Sequence, residues 1–438
     1  MYKFVQNYKK MNNSFVHDIS IATQSFIDRE DRYGAHNYHP LPVVLERGEG
    51  VFLWDVDGKK YYDFLSAYSA VNQGHCHPKI IEALINQAKI LTLTSRAFHN
   101  NLLGACEEYL AKLFGYDKVL VMNGGVEGVE TAIKLVRKWA YLVKGIPDNQ
   151  AVVLFAEENF HGRTTSVISA STDPTSKKGF GPFMPGFMTI PYNDTIALEQ
   201  FLKNNPNTAG FIVEPIQGEA GVVVPDADYL KKVAAICKTY NVLFVADEIQ
   251  TGIGRTGKLL ASCGNCQCEG KCQNNYDARP DILILGKALS GGVLPVSAVL
   301  ANDDIMLTIK PGEHGSTFGG NPLACAVTMA ALDVVVGENL PENAQRMGLR
   351  FRKGLEHIAT ENRLIKKVRG KGLLNAIVID SPEDSELAWD ICIEFKRNGL
   401  LAKPTHGNKI RLAPPLVINE KQIDEALEII KKSLKAFV

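Results

Sequence analysis

The sequence predicts an α/β protein with a large domain built on a mainly parallel sheet and a smaller α+β domain at the C-terminal end. Three observations support this. Six apolar runs are continuous rather than alternating, which favours strands covered on both faces. Helical patterns lie between these runs, and the pattern changes after Gly337, where charged helices and a strand pair follow. The predicted strands begin at Val119, Ala151, Gly210, Val242, Ile282 and Val296.

The helical patterns divide the chain into three predicted parts. Val126, Val129, Ile133, Val136 and Ala140 are three or four residues apart and mark one buried helix face. A second helix is predicted to open at Pro322, because proline is favoured in the first helical turn. We expect an N-terminal segment over 1–68 that packs with the small domain, a large domain over 69–337 and a small domain over 338–438.

The composition bounds the partners and the compartment. The chain has 438 residues, of which 45% are hydrophobic, and it is long enough for more than one domain. Its 48 basic and 48 acidic residues give no net charge, so nucleic acid and anionic membranes are not expected as partners. No export signal is recognisable at the N-terminus. We expect a cytoplasmic location, with the mitochondrial matrix as the alternative, and reduced cysteines.

Two apolar strands end on charged residues that suggest chemistry. Lys287 follows the run that begins at Ile282, and Asp247 ends the run that begins at Val242. A buried lysine is costly unless it has a task, and a common task is a Schiff base with a carbonyl. An aspartate that faces a pyridinium nitrogen is the second group by which proteins hold pyridoxal phosphate (PLP).

Three further segments could complete a cofactor site. The turn at Gly125 and Val126 follows a strand and opens a helix, which suits a phosphate or an ordinary turn. Ser316 and Thr317 precede a helix and could bind phosphate or simply cap the helix. Phe160 could stack on a ring and Arg163 could bind a carboxylate, although a packed Phe beside a surface Arg is the commoner arrangement.

Taken together, the motifs resemble the fold-type I, PLP-dependent class III aminotransferases along nearly the whole chain. The Gly125 turn, the segment from Phe160 to Arg163, the segment from Asp247 to Gln250 and the segment around Lys287 follow in the order of that family. Within the class, the strings around Tyr38, Tyr68, Thr317, His406 and Arg411 are similar to those of the ornithine δ-aminotransferase family.

The resemblance implies a role for each cofactor residue. Lys287 would hold PLP and move the proton during transfer, and Asp247 would keep the ring nitrogen protonated. The remaining contacts would come from the backbone of Gly125 and Val126 to the phosphate, from Phe160 to the ring face, from Gln250 to the phenolic oxygen, and from Thr317 with Ser316 of a neighbouring subunit to the phosphate. A homodimer with shared active sites is therefore expected.

The resemblance also implies the substrates, L-ornithine and 2-oxoglutarate. Tyr38 and Arg411 would bind the α-carboxylate of ornithine, and Tyr68 would discriminate against other ω-amines. Arg163 would bind the distal carboxylate of 2-oxoglutarate. Glu219 would pair with Arg411 and mask it when glutamate is in the site, since an unpaired Arg would bind a dicarboxylate in the wrong register.

The sequence departs from the family at three places. Gly124 replaces a residue with a hydroxyl group, so the affinity for PLP is expected to be slightly weaker. Gly128 replaces an alanine in the first turns of a helix, at a cost of up to ~1 kcal/mol in helix propensity. An insertion between Leu260 and Asp281 carries four cysteines, which suit a structural zinc site and, less well, an iron–sulfur cluster. The four cysteines are Cys263, Cys266, Cys268 and Cys272. The alternatives are a mobile, reduced loop or disulfides that form only on oxidation.

Two alternatives remain open from the sequence. The first is a related enzyme that acts on acetylornithine, 4-aminobutyrate or lysine. The second is a non-catalytic protein of the same fold in which the cysteine cluster forms a metal-binding interaction module. The complete set of Lys287, Asp247 and Arg163 argues against the second.

Overall fold

The computed structural model of the chain describes residues 19–264 and 278–437. Fifteen strands occur in these residues. They are β1 Leu45–Glu49, β2 Phe52–Asp55, β3 Lys60–Asp63, β4 Lys118–Met122, β5 Val152–Ala156, β6 Phe187–Ile190, β7 Thr208–Val213, β8 Leu243–Asp247, β9 Ile282–Leu285, β10 Ser297–Ala301, β11 Ile365–Lys371, β12 Leu374–Ile379, β13 Leu400–Leu401, β14 Lys403–Pro404 and β15 Lys409–Leu412.

Helices alternate with the strands through the centre of the chain and dominate its C-terminal part. The helices of eight or more residues are Ile21–Tyr33, Pro78–Ala88, Leu103–Phe114, Gly125–Trp139, Thr195–Asn204, Tyr229–Thr239, Pro322–Gly337, Leu340–Glu361, Leu387–Arg397 and Glu420–Leu434. The shorter α-helices are Thr165–Ser169, Pro174–Lys177, Ala261–Gly264 and Asp303–Met306, and the segment Ser66–Ser69 forms a left-handed turn. A π-helical turn spans Ala140–Lys144, and 3-10 turns span Lys287–Ser290 and Lys435–Phe437.

A seven-stranded sheet in the order β4-β10-β9-β8-β7-β5-β6 forms the centre of the molecule. The pairings of β6, β5, β7, β8 and β9 are all parallel, and β10 runs antiparallel to both of its neighbours. The predicted α/β class with a mainly parallel sheet is therefore confirmed. All six predicted strands occur in this sheet, whereas β6 was not predicted from the sequence.

Two four-stranded sheets flank the central one. β11-β12-β15-β14 lies in the C-terminal part of the chain, and β1-β2-β3-β13 joins the N-terminal strands to Leu400–Leu401. The parallel pairing of β3 with β13 links the N-terminal segment to the C-terminal part. The boundaries at 68 and 337 stay a prediction.

The helix Gly125–Trp139 packs on the central sheet through the predicted face. Val129, Ile133 and Val136 are buried in one cluster with residues of β5, β8 and β9. The helix Pro322–Gly337 begins as predicted, with the Asn321 side chain accepting a hydrogen bond from the amide of Ala324 at 2.8 Å. No single helix in residues 19–264 and 278–437 has the length and apolar character of a membrane span.

Candidate active site

The carboxyl ends of four neighbouring parallel strands bring the candidate residues to one edge of the central sheet. Phe160 and His161 lie in the loop after β5, and Glu219 lies in the loop after β7. Asp247 is the last residue of β8, and Lys287 follows β9 by two residues. Ligand sites of open parallel sheets form at this end of the strands, because the loops there diverge and leave a crevice.

The environment of Lys287 disfavours the protonated, charged form of its amine. Burial lowers the pKa of Lys287; the carboxylate of Glu219 acts against this shift and the guanidinium of Arg411 reinforces it. The backbone of Lys287 has a φ of 45°, an uncommon value for a residue with a side chain. A lysine with a lowered pKa supplies the neutral amine that attacks carbonyl groups.

Asp247 is held by a histidine that the sequence analysis did not assign. The Nδ1 atom of His161 lies 2.7 Å from Oδ2 of Asp247, and both side chains are buried. Although burial opposes it, the hydrogen bond to Asp247 and the charge of Asp247 raise the pKa of His161. Oδ1 of Asp247 accepts the amide hydrogen of Ile249 at 3.1 Å, so both carboxylate oxygens have fixed partners.

A buried ion pair connects the loop after β7 to strand β15. Nη1 of Arg411 lies 2.7 Å from Oε1 of Glu219 and donates to Oε1 of Gln250 at 3.1 Å. Nε2 of Gln250 donates to Oε1 of Glu219 at 3.1 Å, which closes a ring of three side chains. Although burial acts against it, the charge of Arg411 lowers the pKa of Glu219 to about 2. The guanidinium of Arg411 lies over the ring of Tyr68, 4.8 Å from the centroid.

The contacts of Gln250 add to its predicted role. The sequence placed Gln250 beside the phenolic oxygen of the cofactor, and that assignment stays a prediction. In the structure, its amide nitrogen and its amide oxygen each bond a member of the Glu219–Arg411 pair.

The other predicted substrate residues surround the same place. Burial raises the pKa of Tyr68, and the charges of Arg411, Glu219, Tyr38 and Arg163 all act on its hydroxyl group. Arg163 is exposed and lies over the ring of Phe160 at 5.3 Å. Tyr38 is 69% exposed in the single subunit.

The candidate phosphate site is the start of the helix Gly125–Trp139. The amides of a first helical turn have no partners within the helix, so Gly125 and Val126 offer N–H groups to an anion. A side chain at Gly125 would bring a Cβ to 3.1 Å from Ile249 Cγ2, so glycine keeps this approach open. Oγ of Ser316 accepts a hydrogen bond from Nδ2 of Asn123 in the same chain at 2.8 Å, and Thr317 is exposed.

The donors at this edge fit PLP. They comprise a half-buried lysine with a lowered pKa, a buried aspartate with a histidine partner, and a helix N-terminus. In addition, His161 Nε2 and Arg411 Nε are buried without a hydrogen-bond partner in the described part of the chain. Buried polar atoms of this kind are uncommon and indicate a site that a bound group would complete.

Sequence reasoning missed Glu214, which lies at the same edge. Glu214 follows β7 directly and is 6% exposed. The signal was available, since an acid at the end of a continuous apolar run is what identified Asp247.

The cysteine cluster falls largely outside the described residues. Cys266, Cys268 and Cys272 lie between 264 and 278, and Cys263 belongs to the short helix Ala261–Gly264. In the described ranges, no group of three His, Cys, Asp or Glu side chains could hold a metal ion. The zinc site stays a prediction.

Known proteins resemble this chain over nearly its full length. The family model Aminotransferase class-III matches residues 33–434. The ornithine aminotransferase, mitochondrial, of Rattus norvegicus is 60% identical over 95% of this chain and 91% of its own length.

Solved structures agree in fold. The acetylornithine aminotransferase of Elizabethkingia anophelis is 58% identical, covers 95% of this chain and 99% of its own, and has a TM-score of 0.84. The ornithine aminotransferase of Toxoplasma gondii ME49 is 46% identical, covers 97% of both chains and has a TM-score of 0.89. The match to the family model and the identity to these relatives place the chain unambiguously: it belongs to the class III aminotransferase family.

Proposed function

We propose that the chain is an ornithine aminotransferase. It transfers the δ-amino group of L-ornithine to 2-oxoglutarate and yields L-glutamate and L-glutamate 5-semialdehyde, which cyclises to pyrroline-5-carboxylate. The observation that carries the proposal is the arrangement of Lys287 and Asp247 beside the ion pair of Glu219 with Arg411. This combination supplies a nucleophilic amine and a carboxylate site that can be masked.

The cofactor is PLP. When bound, PLP supplies an aldehyde that takes up amino groups and a ring that stabilises negative charge on the adjacent carbon. Gly125 and Val126 would hold its phosphate through their amides, Phe160 would cover its ring, and Asp247 would keep a proton on its ring nitrogen. His161 orients Asp247 through their 2.7 Å contact.

Lys287 performs the proton transfer. Burial favours the neutral amine, so Nζ can take the proton from the δ-carbon of ornithine and deliver a proton to the α-carbon of the new glutamate. Because both carbons occupy the same position in turn, one base serves both halves of the reaction.

The residues that bind the substrate carboxylates determine how each substrate is oriented in the site. Arg411 and Tyr38 bind the α-carboxylate of ornithine, and Tyr68 packs against Arg411 to limit the space for other ω-amines. Arg163 binds the distal carboxylate of 2-oxoglutarate. The 2.7 Å pair with Glu219 neutralises Arg411 while the dicarboxylate occupies the site.

The protein acts as a homodimer in this proposal. Thr317, together with Ser316, reaches the phosphate in the partner subunit. Phe98 and Phe318 are 70% and 56% exposed in the single subunit. Large exposed apolar side chains of this kind are typical of an interface.

A related activity on N-acetylornithine is the second candidate. The observation that favours it is the 58% identity to the acetylornithine aminotransferase of Elizabethkingia anophelis. The two substrates differ at the α-nitrogen, which is an ammonium group in ornithine and a neutral amide in N-acetylornithine.

Initial rates separate the two candidates. The purified protein is assayed with 2-oxoglutarate and either L-ornithine, N-acetylornithine or 4-aminobutyrate. We expect the highest kcat/KM with L-ornithine and the formation of pyrroline-5-carboxylate. A higher kcat/KM with N-acetylornithine would replace the proposal with the second candidate, and no turnover with any of the three would remove both.

Two smaller proposals concern compartment and metal. We keep the cytoplasm as the expected location, although the name of the rat relative supports the mitochondrial alternative. A structural zinc ion at the four cysteines would be recognised by about one zinc per chain in metal analysis, and its loss would be expected to leave the amino transfer intact.

A further inference from the structure

Glu214 is a buried acid with no role in the proposed reaction. It is 6% exposed and lies at the edge of the sheet where Asp247 ends β8 and Lys287 follows β9. A buried carboxylate that served packing alone would be costly, since a neutral side chain of similar shape would do as well. Its contacts therefore call for a specific explanation.

The two oxygens of Glu214 bond two different loops. Oε1 accepts the amide hydrogen of Phe160 at 2.9 Å, in the loop after β5. Oε2 accepts the amide hydrogen of Gly218 at 3.2 Å, in the loop after β7. One loop carries the aromatic ring that covers the cofactor, and the other carries Glu219, the residue next to Gly218.

The position of Gly218 leaves little freedom to its loop. A Cβ at Gly218 would lie 1.7 Å from Oε1 of Gln250, so the backbone here passes directly against the Gln250 amide. A small displacement of Gly218 would therefore disturb Gln250 and, through it, the pair of Glu219 with Arg411.

We propose that Glu214 is a positioning residue of the proposed aminotransferase: its carboxylate fixes the Phe160 loop and the Glu219 loop relative to each other, and its charge acts on Lys287. Each oxygen serves one loop, so neither contact can be replaced by the other. The inference rests on the proposed function only for the names of the substrates. The contacts themselves concern the cofactor side of the site.

The charged and titratable groups that face Glu214 come from four segments. They are His161 after β5, Tyr192 after β6, Asp247 at the end of β8 and Lys287 after β9. Burial raises the pKa of Glu214 to about 7 and Asp247 adds to the shift, whereas His161 and the two amide contacts oppose it. The ionised carboxylate in turn favours a positive charge on Lys287 and on His161.

Gln217 provides a matched control. Its Nε2 donates to the carbonyl oxygen of Glu157 at 2.7 Å, so it joins the same two loops without a charge. If Glu214 affects the titration midpoint of bound PLP only by holding the two loops together, Gln217→Ala should shift the midpoint in the same way. If the charge of Glu214 affects the midpoint, Gln217→Ala should leave it unchanged.

The test compares wild type, Glu214→Gln, Glu214→Asp and Gln217→Ala as holoenzymes. The visible absorbance of bound PLP is titrated with pH, and the PLP content is measured after equilibrium dialysis at graded PLP concentrations. For Glu214→Gln we expect a titration midpoint at lower pH, because a negative charge near Lys287 is lost. We also expect PLP affinity to fall about tenfold, as for one hydrogen bond to a charged group.

The controls decide between the explanations. We expect Glu214→Asp to keep the wild-type midpoint because it keeps the charge, and Gln217→Ala to keep it as well. Wild-type midpoint and PLP affinity in Glu214→Gln would overturn the inference. An equal shift of the midpoint in Gln217→Ala would show that loop displacement, and not the charge of Glu214, sets the midpoint, and would overturn the electrostatic part of the inference. An unchanged PLP affinity in Glu214→Gln would overturn the positioning part. If Glu214→Gln does not fold, Glu214→Asp provides the test. The inference then requires that Glu214→Asp binds PLP more weakly than wild type and keeps the wild-type titration midpoint.

The outcome is independent of the substrate assignment. Neither readout contains ornithine, so the inference survives if the enzyme prefers another amine. A wild-type protein that binds no PLP would instead contradict the proposed function itself.

Discussion

Individual residues of this site are arranged as paired charges before any substrate is present. Arg411 is 2% exposed and is bonded to Glu219 and Gln250, and Asp247 is bonded to His161. A buried charge without a partner would be strongly destabilising, so these pairs are needed for folding as well as for selection. The same pairs keep the guanidinium and the carboxylate in fixed positions.

The pH dependence of stability tests the pair of Glu219 with Arg411. The pKa of Glu219 is lowered to about 2 in the folded state, so the unfolded chain binds a proton first as the pH falls. Its contribution to stability is therefore complete above about pH 4.5 and is lost towards pH 2. We expect the stability difference between wild type and Glu219→Gln, measured by urea unfolding, to be constant from pH 7 to 5 and to shrink below that.

The exposed Glu82 supplies the control for this measurement. Glu82→Gln lies on the surface and should show the same small difference from wild type at every pH. A difference for Glu219→Gln that grows as the pH falls below 5 would contradict the assignment of the pair.

The residues at strand ends could be predicted from the sequence, whereas their mutual contacts could not. Lys287 and Asp247 end apolar runs, and a charge at such a place is visible in the sequence. The double contact of Gln250 depends on the loop after β7 returning to within 3.1 Å of it, which no local pattern encodes. Glu214 follows the apolar run of β7 and was visible in the same way as Asp247, but its bonds to the amides at positions 160 and 218 were not.

Among the secondary-structure elements, a left-handed turn at Ser66–Ser69 places Tyr68 against Arg411. All four residues have positive φ values, between 45° and 72°, and none of them is a glycine. Such a conformation costs roughly 1 kcal/mol or more per residue. Oδ1 of Asp63 accepts the amides of Leu65 and Ser66 at 2.9 Å, which holds the turn. Because the sequence has no glycine here, its geometry could not be predicted.

The helix Gly125–Trp139 was predicted from its spacing, but the structure changes the interpretation of one glycine. The sequence suggested that Gly128 only weakens the helix. In the structure, a Cβ at Gly128 would lie 2.9 Å from Cγ2 of Ile284 on β9, so glycine allows the helix to approach the sheet. Close approach, rather than helix propensity, explains this residue.

Two substitutions in this helix should therefore act in opposite directions. Gly128→Ala should destabilise the protein by about 1 kcal/mol, because overpacking outweighs the gain in propensity. At Gly124 a Cβ would have only the 4.0 Å neighbour Val126 Cγ1, and its φ of −65° suits any residue. Gly124→Ser should cap the helix and bind PLP roughly fivefold tighter, as for one added hydrogen bond of about 1 kcal/mol.

Thermal unfolding and PLP titration check both substitutions. If Gly128→Ala is more stable than wild type, β9 can move away from the helix without a loss of stability, which would contradict the prediction. Unchanged PLP affinity in Gly124→Ser would show that the helix start does not reach the phosphate.

Over the whole molecule, the sequence predicted six of the seven strands of the central sheet, without β6, and did not predict the distant pairings. The six buried strands and the helices between them follow from hydrophobic patterns over a few residues. The sheet of β1, β2, β3 and β13 joins Tyr62 to Leu400, and pairing over such a separation has no local signature. The proposed homodimer would account for the exposed Phe98 and Phe318, and a contact between subunits has no local signature either.

Subunit complementation tests the shared site. Lys287→Ala removes the reactive amine of its own site, and Thr317→Asp places a negative charge against the phosphate of the partner's site. We expect each variant alone to have little activity, and a mixture that has exchanged subunits to recover part of the wild-type rate, because the mixed dimer holds one intact site. No recovery in mixed dimers that have been isolated would mean that Thr317 serves its own subunit.

The covalent attachment of the cofactor tests the central claim most directly. The holoenzyme is reduced with borohydride, digested and mapped by mass spectrometry to find the residue that carries the phosphopyridoxyl group. The account predicts a single label on Lys287, which disappears when L-ornithine is added before reduction. A label on another lysine, or no label at all, would contradict it.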